Sequence, residues 1–236
     1  MSDSTSSETA PWAVLVDLDY AAVSGFRTLC ALYKEAFAEK GATLSDARFA
    51  ASLLGEPSVE TVATLLKTLA PDASREAAEE IQDAVAARFA REIAKAAPLA
   101  TTAPILQKAI GKGCKLIFVS SLENADVTDG VVQALGLDPE ETSVTRTSEP
   151  WGHHSRRAWE KAIKLLDLVD RPDRCIVFLN TTASVRGAIA TGAKVVAIAS
   201  DMTEALDFSG CDYVISENAP AKELAKALDE IFANVK

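Results

Sequence analysis

The chain has 236 residues, of which 48% are hydrophobic and 25% charged, which suits one large domain or a core domain with an insertion. A formal net charge of -10 without a basic patch argues against nucleic acid or an anionic membrane as the main partner. No segment is long and apolar enough to cross a membrane. The four cysteines are scattered along the chain, which indicates free thiols in a reducing compartment. We therefore expect a cytoplasmic protein.

The first hundred residues carry three different patterns in turn. Residues 1–11 are mostly polar and lack the regions of a signal peptide, which predicts a disordered lead-in. Residues 13–19 are an apolar run that ends in acid, typical of a buried strand that leaves the core there. Residues 26–99 are alanine-rich and helical, with capping signals and no strand pattern, so they predict a four-helix insertion.

From residue 100 onward, helical segments alternate with short apolar runs. Five runs predict strands, at 115–119, 142–147, 174–179, 194–199 and 212–215. Strands that alternate with helices indicate a parallel sheet with helices on both faces. We predict one α/β core domain from residues 12–25 and 100–236, interrupted by the helical domain at 26–99.

Polar side chains follow three of the predicted strands. Asp17 and Asp19 are two residues apart, so strand alternation would point them to the same face. Ser120 and Asn180 follow two later strands. Parallel sheets bind ligands at the carboxyl ends of their strands, so one crevice could contain all four residues. Taken alone, the Asp pair would also fit a strand that ends in a solvated turn.

In their order and spacing, these motifs resemble the haloacid dehalogenase (HAD) superfamily, subfamily I, the branch of phosphoglycolate phosphatase and β-phosphoglucomutase. Asp17-Leu18-Asp19 resembles motif I, Ser120 motif II, and residues 176–192 motif IV. Residues 26–99 lie where that branch carries a helical cap. The resemblance implies a HAD-like, Rossmann-like α/β fold with an inserted helical cap domain. Its core would be a mainly parallel sheet of five strands.

The resemblance also implies phosphoryl transfer on a small phosphorylated metabolite, with Asp17 as nucleophile and Asp19 as general acid and base. The phosphate-binding residues would be Ser120, Ser121 and Arg156. Magnesium would be held by Asp17, Asp19 and Asn180. Neither the substrate nor the oligomeric state follows from the sequence.

Three departures from the family pattern predict an altered site. Tyr20 stands where motif I usually has glycine, Glu149 where motif III has lysine, and Asn180 where motif IV has a magnesium-binding aspartate. A phosphate dianion would therefore meet carboxylates with little fixed positive charge, and we expect weak magnesium binding, if any. Arg156, Arg157 or Lys161 could replace the missing lysine.

The two histidines, His153 and His154, lie beside the presumed crevice and are interpreted as exposed loop residues. A contact with substrate or metal is the less favoured interpretation.

Two main functional hypotheses follow. The first is a HAD-like hydrolase of phosphatase ancestry with an eroded site, whose activity is weak or lost and which binds a ligand or a partner. The alternative is an active magnesium-dependent phosphatase or phosphomutase. A haloacid dehalogenase is a third hypothesis, but those enzymes lack the second aspartate that Asp19 provides here.

Overall fold

The computed structural model describes residues 11–54, 57–147, 154–204 and 206–235. Within these ranges, every helix is too short or too polar to span a membrane.

A parallel sheet forms the core, with the strand order β3-β2-β1-β4-β5-β6. Its strands are β1 Ala13–Asp17, β2 Lys115–Ser120, β3 Ser143–Arg146, β4 Cys175–Leu179, β5 Lys194–Ala199 and β6 Tyr213–Ser216. The predicted parallel α/β sheet is confirmed. The six apolar runs that predict strands all pair in this sheet, so the count of five implied by the resemblance is wrong for the described residues.

The central strands are buried on both faces because helices cover each side. Val14 and Val16 belong to one hydrophobic cluster, and Ala13 and Leu15 belong to the other, as strand alternation requires. The flanking helices are α5 Thr102–Gly111, α6 Ala125–Ala134, α7 Arg156–Leu165, α8 Thr182–Ile189 and α9 Ala221–Ile231. Helices α7 and α8 contribute to the cluster of Ala13 and Leu15. By alternation, Asp17 therefore points to the side of the sheet that α7 and α8 cover.

Four α-helices of the described residues lie between β1 and α5, as the alanine-rich pattern predicts. They are α1 Gly25–Glu39, α2 Asp46–Ser52, α3 Val59–Leu69 and α4 Arg75–Ile93. Side chains of Ser45, Ser58 and Ser74 cap α2, α3 and α4. The chain leaves and re-enters the core at one place, where Val23 and Pro98 form an antiparallel bridge. Whether these helices form a separate domain stays a prediction.

A charged contact joins α1 to the loops that follow β5 and β6. Arg27 donates a hydrogen bond to Asp201 at 3.1 Å and another to Glu217. The Glu217 side chain is only 5% exposed, whereas that of Arg27 is 48% exposed. Burial raises the pKa of Glu217, and Arg27 opposes that rise. Arg27 thus stabilises the ionised form of the buried Glu217 carboxylate.

An Arg27→Met variant should lose about 1 to 2 kcal/mol of unfolding free energy at pH 7, between the values for exposed and buried ion pairs. Because Glu217 then lacks its partner, adding Glu217→Gln should restore most of the loss. Urea denaturation of both variants measures this. Arg75→Met, which removes the exposed pairs with Glu60 and Glu79, is the control and should change stability by less than about 0.5 kcal/mol. Equal losses in the two arginine variants would contradict the prediction.

Candidate active site

Asp17 ends β1 and caps the π-helical turn Leu18–Ala22 that follows it. Its Oδ1 accepts hydrogen bonds from the backbone N–H groups of Asp19 at 3.0 Å and Tyr20 at 3.1 Å. Its Oδ2 is buried, and no described residue donates a hydrogen bond to it. The hydrogen bonds to Oδ1 therefore fix the orientation of the carboxylate, and Oδ2 keeps its lone pairs for another partner.

The Asp19 carboxylate is held by the two serines that follow β2. Ser120 Oγ donates to Oδ1 at 2.6 Å, and both the N–H and the Oγ of Ser121 donate to Oδ2 at 2.7 Å. Burial and the neighbouring Asp17 raise the pKa of Asp19, while His154 and the two hydroxyls lower it in part. Asp19 thus accepts the hydrogen bonds that the HAD resemblance assigns to a bound phosphate.

His154 completes the cluster, and the interpretation of this residue as exposed is wrong. It is fully buried, and its Nε2 lies 3.5 Å from Asp17 Oδ1. Its backbone N–H donates to Ser184 Oγ at 3.1 Å, and its ring meets Trp159 edge to face, with ring centroids 5.3 Å apart. Helix α7 begins at the carboxyl edge of the sheet, and Ser155 is its N-terminal cap. His154 comes directly before that cap, so its side chain reaches Asp17.

A glycine on α8 permits this close approach. A Cβ on Gly187 would lie 2.6 Å from the backbone oxygen of His154 and 2.8 Å from the backbone nitrogen of Arg156. Only a residue without a side chain lets the start of α7 pack this tightly against α8.

Asn180 acts as a structural link. Its Nδ2 donates to the backbone oxygen of Tyr20 at 3.2 Å, and its Oδ1 accepts from Thr203 Oγ1 at 2.7 Å. The amide therefore ties the end of β4 to the π-helical turn and to the loop after β5. Because both ends of the amide are engaged and the side chain is neutral, Asp17, Asp19 and Asn180 fit a magnesium ion poorly.

The three candidate replacement cations do not join the cluster in the described contacts. Arg156 has a 63% exposed side chain that donates to Glu160 at 2.6 Å. Arg157 is exposed, and Lys161 donates to the backbone oxygen of Arg146. Glu149 and His153 lie outside the described residues, so their predicted positions stay predictions.

Tyr20 fills the space between the carboxylates and the inserted helices. It is 1% exposed and stacks on Phe26 with ring centroids 4.1 Å apart. The cavity bordered by Tyr20 and Asn180 has a volume of about 10 Å³, room for roughly one water molecule. That cavity is too small for a phosphorylated metabolite.

Asp17, Asp19 and His154 together form a group that could hold a metal ion. One ligand atom from each lies within 4.8 Å of the others, and all three side chains are buried. The sequence predicted a metal site with the two carboxylates, and a metal contact by the histidines was the less favoured interpretation.

Several solved structures share this architecture over nearly their whole length. CbbY from Rhodobacter sphaeroides, in complex with phosphate, has 18% identity and a TM-score of 0.65, covering 87% of this chain and 93% of its own. A HAD family hydrolase from Deinococcus radiodurans R1, with bound phosphate and sodium, has 19% identity and a TM-score of 0.70, covering 94% and 96%. The chain has the HAD fold. A HAD hydrolase of family IA from Entamoeba histolytica is similar too, with 19% identity, a TM-score of 0.65 and coverage of 92% and 99%.

The HAD fold confirms the resemblance drawn from the motifs at the level of architecture. No protein-family model matches the sequence, and no curated protein matches it. Asp17 ends β1, a central strand of this fold, and Asp19 lies in the turn that follows it.

Proposed function

We propose that this chain is a HAD-fold protein of phosphatase ancestry whose phosphoryl-transfer site has eroded. Its turnover is weak or lost, and its role is to bind a ligand or a partner. The observation that carries this proposal is the state of Asp19. Its carboxylate is fully buried and accepts the three hydrogen bonds of Ser120 and Ser121 that a phosphate would otherwise receive.

Electrostatics support the same function. A phosphate dianion would face Asp17 and Asp19, and His154 is the one described side chain at the cluster that can carry positive charge. Asn180 replaces an anionic metal ligand and is engaged in structural hydrogen bonds. Each missing transition-state partner typically costs about a hundredfold to a thousandfold in rate.

The proposal extends to the domain organisation. Residues 26–99 act as the cap and residues 12–25 and 100–236 as the core. The single crossing point at Val23 and Pro98 supports this division. The aromatic stack of Tyr20 on Phe26 supports a cap packed closely against the site, since Phe26 belongs to α1.

One observation favours an active magnesium-dependent phosphatase or phosphomutase as the second candidate. Asp17 is anchored through Oδ1 by two backbone N–H groups, which leaves Oδ2 as the atom that could attack phosphorus. A nucleophilic carboxylate needs this arrangement.

Turnover distinguishes the two candidates. Against phosphorylated sugars, phosphoglycolate and nucleotides with added magnesium, we expect phosphate release near background. Glu149 stands in place of the lysine that would neutralise the phosphate, and Asn180 in place of the aspartate that would bind magnesium. Asp17→Asn should abolish any remainder. The control is Asp83→Asn, which changes an exposed carboxylate of α4 and should leave the rate unchanged.

Two results would contradict the eroded-site proposal. Robust magnesium-dependent release that Asp17→Asn abolishes would establish the active phosphatase instead. Release that survives Asp17→Asn would exclude both candidates, since the nucleophile would then lie elsewhere.

A further inference from the structure

The three buried side chains at the end of β1 have the spacing of metal ligands. His154 Nε2 and Asp17 Oδ1 are 3.5 Å apart, which is at the outer limit for a hydrogen bond. Two ligands held tetrahedrally at the usual zinc distances lie about 3.4 Å apart. The imidazole therefore lies close enough to the Asp17 carboxylate for one ion to contact both side chains.

Charge and hydrogen bonding both favour a cation here. Two carboxylates are fully buried side by side, and burial of like charges is unfavourable without compensation. Asp17 Oδ2 is buried with no described donor. A divalent cation would neutralise both carboxylates and supply the partner that this oxygen lacks.

The groups around the cluster already orient all three side chains. Asp17 is fixed by the backbone of the π-helical turn, and Asp19 by Ser120 and Ser121. His154 is held through its backbone N–H and by the edge of Trp159. Metal sites typically hydrogen-bond their carboxylate ligands in this way. Asp17 Oδ2, which has no described donor, and Asp19 Oδ1, whose only described donor is Ser120, each keep a lone pair for an ion.

The ligand set discriminates between metals. An imidazole nitrogen suits zinc and other first-row transition metals, whereas magnesium prefers oxygen ligands in an octahedral arrangement. Asn180, which the HAD resemblance offers to magnesium, is occupied by Tyr20 and Thr203. We propose that Asp17, Asp19 and His154 bind one transition-metal dication of the zinc class, in a site whose ligands differ from the magnesium set. This binding requires no turnover.

Calorimetric titration of the full, chelator-treated chain with zinc and with magnesium tests the proposal. We expect one zinc ion per chain, bound at least about 100-fold more tightly than magnesium. His154→Gln should lower the zinc affinity about 100-fold, because it removes the only nitrogen ligand of the proposed set. Glu160→Gln, an exposed change on α7, is the matched control and should leave the affinity unchanged.

A spectroscopic test on the unchanged chain covers the case in which His154→Gln does not fold. Cobalt should give the intense visible bands of a low-coordinate site without a thiolate charge-transfer band, and zinc should shift the His154 Nε2 resonance. The proposal is overturned by any of four results: no zinc binding, zinc no tighter than magnesium, full zinc affinity in folded His154→Gln, or thiolate ligation. None of these readouts depends on phosphate release. A chain that does not bind zinc would therefore not contradict the proposed function, and an active phosphatase would not contradict zinc binding.

Discussion

A Gly25→Ala variant is expected to lose about 3 kcal/mol or more of its free energy of unfolding. Gly25 begins α1, and a Cβ there would lie 2.0 Å from the backbone oxygen of Asp19 and 2.9 Å from Tyr20 Cδ1. The backbone oxygen cannot move aside without distorting the π-helical turn that Asp17 caps. Thermal denaturation should therefore show a Tm lower by roughly 10 °C.

Gly130→Ala is the matched control for this substitution. Gly130 lies within α6, and a Cβ there would meet no heavy atom within 4 Å. Alanine should stabilise that helix by up to about 1 kcal/mol, because it lowers the conformational entropy of the unfolded chain. If Gly25→Ala denatures at the same temperature as the parent chain, α1 does not begin against the Asp19 backbone.

The metal-free Asp19→Asn variant is expected to be more stable than the parent chain at pH 8, by on the order of 2 kcal/mol. Burial, followed by repulsion from Asp17, raises the pKa of Asp19 and so disfavours its ionised form in the folded state. Asparagine keeps the shape and an acceptor for the donors of Ser121 but carries no charge. Urea denaturation in the presence of a chelator measures the gain.

The pH dependence of this gain has a definite sign. Because the folded-state pKa of Asp19 is above its ordinary value of 3.8, the folded chain binds more protons than the unfolded chain between the two values. The parent's stability therefore falls as the pH rises through that window, and the variant lacks this fall. The stability gain should be absent near pH 3, where the aspartate of the parent and the asparagine of the variant are both neutral. It should grow as the pH rises until Asp19 is ionised.

Asp83→Asn is the control, since the loss of an exposed carboxylate should change the free energy of unfolding only slightly. An Asp19→Asn chain that is less stable than its parent at every pH would contradict the prediction. In that case the charge-assisted hydrogen bonds from Ser120 and Ser121 would outweigh the cost of burying the charge.

Most of the sheet was predictable because each strand is a short apolar run between helices. The run at 174–179 became β4, and the weaker run at 142–147 became the four-residue edge strand β3. The π-helical turn Leu18–Ala22 was not predicted. It depends on the Asp17 side chain as a cap and on the packing of Tyr20 against Phe26, and neither contact has a local sequence signal.

The candidate site was predictable only in part, for a related reason. Strand spacing correctly drew attention to Asp17 and Asp19, but Asp19 lies in the π-helical turn and not on the strand face. A metal contact by His154 was the less favoured interpretation, because a polar loop before a helix usually faces solvent. The apolar positions Trp159 and Ala162 could have indicated that α7 begins against the carboxyl edge of the sheet, next to Asp17.

The central position of β1 has a consequence for how the chain folds. β1 comes first along the chain, yet its two neighbours begin at Lys115 and Cys175. The hydrogen bond between Ser120 and Asp19 spans 101 residues, and the one between Asn180 and Tyr20 spans 160. Contacts with such high sequence separation slow folding, because a large loop must close before they form. During synthesis, β1 must wait with one edge unpaired until β4 has left the ribosome, so a nascent chain of intermediate length exposes a strand edge that other chains or chaperones can bind.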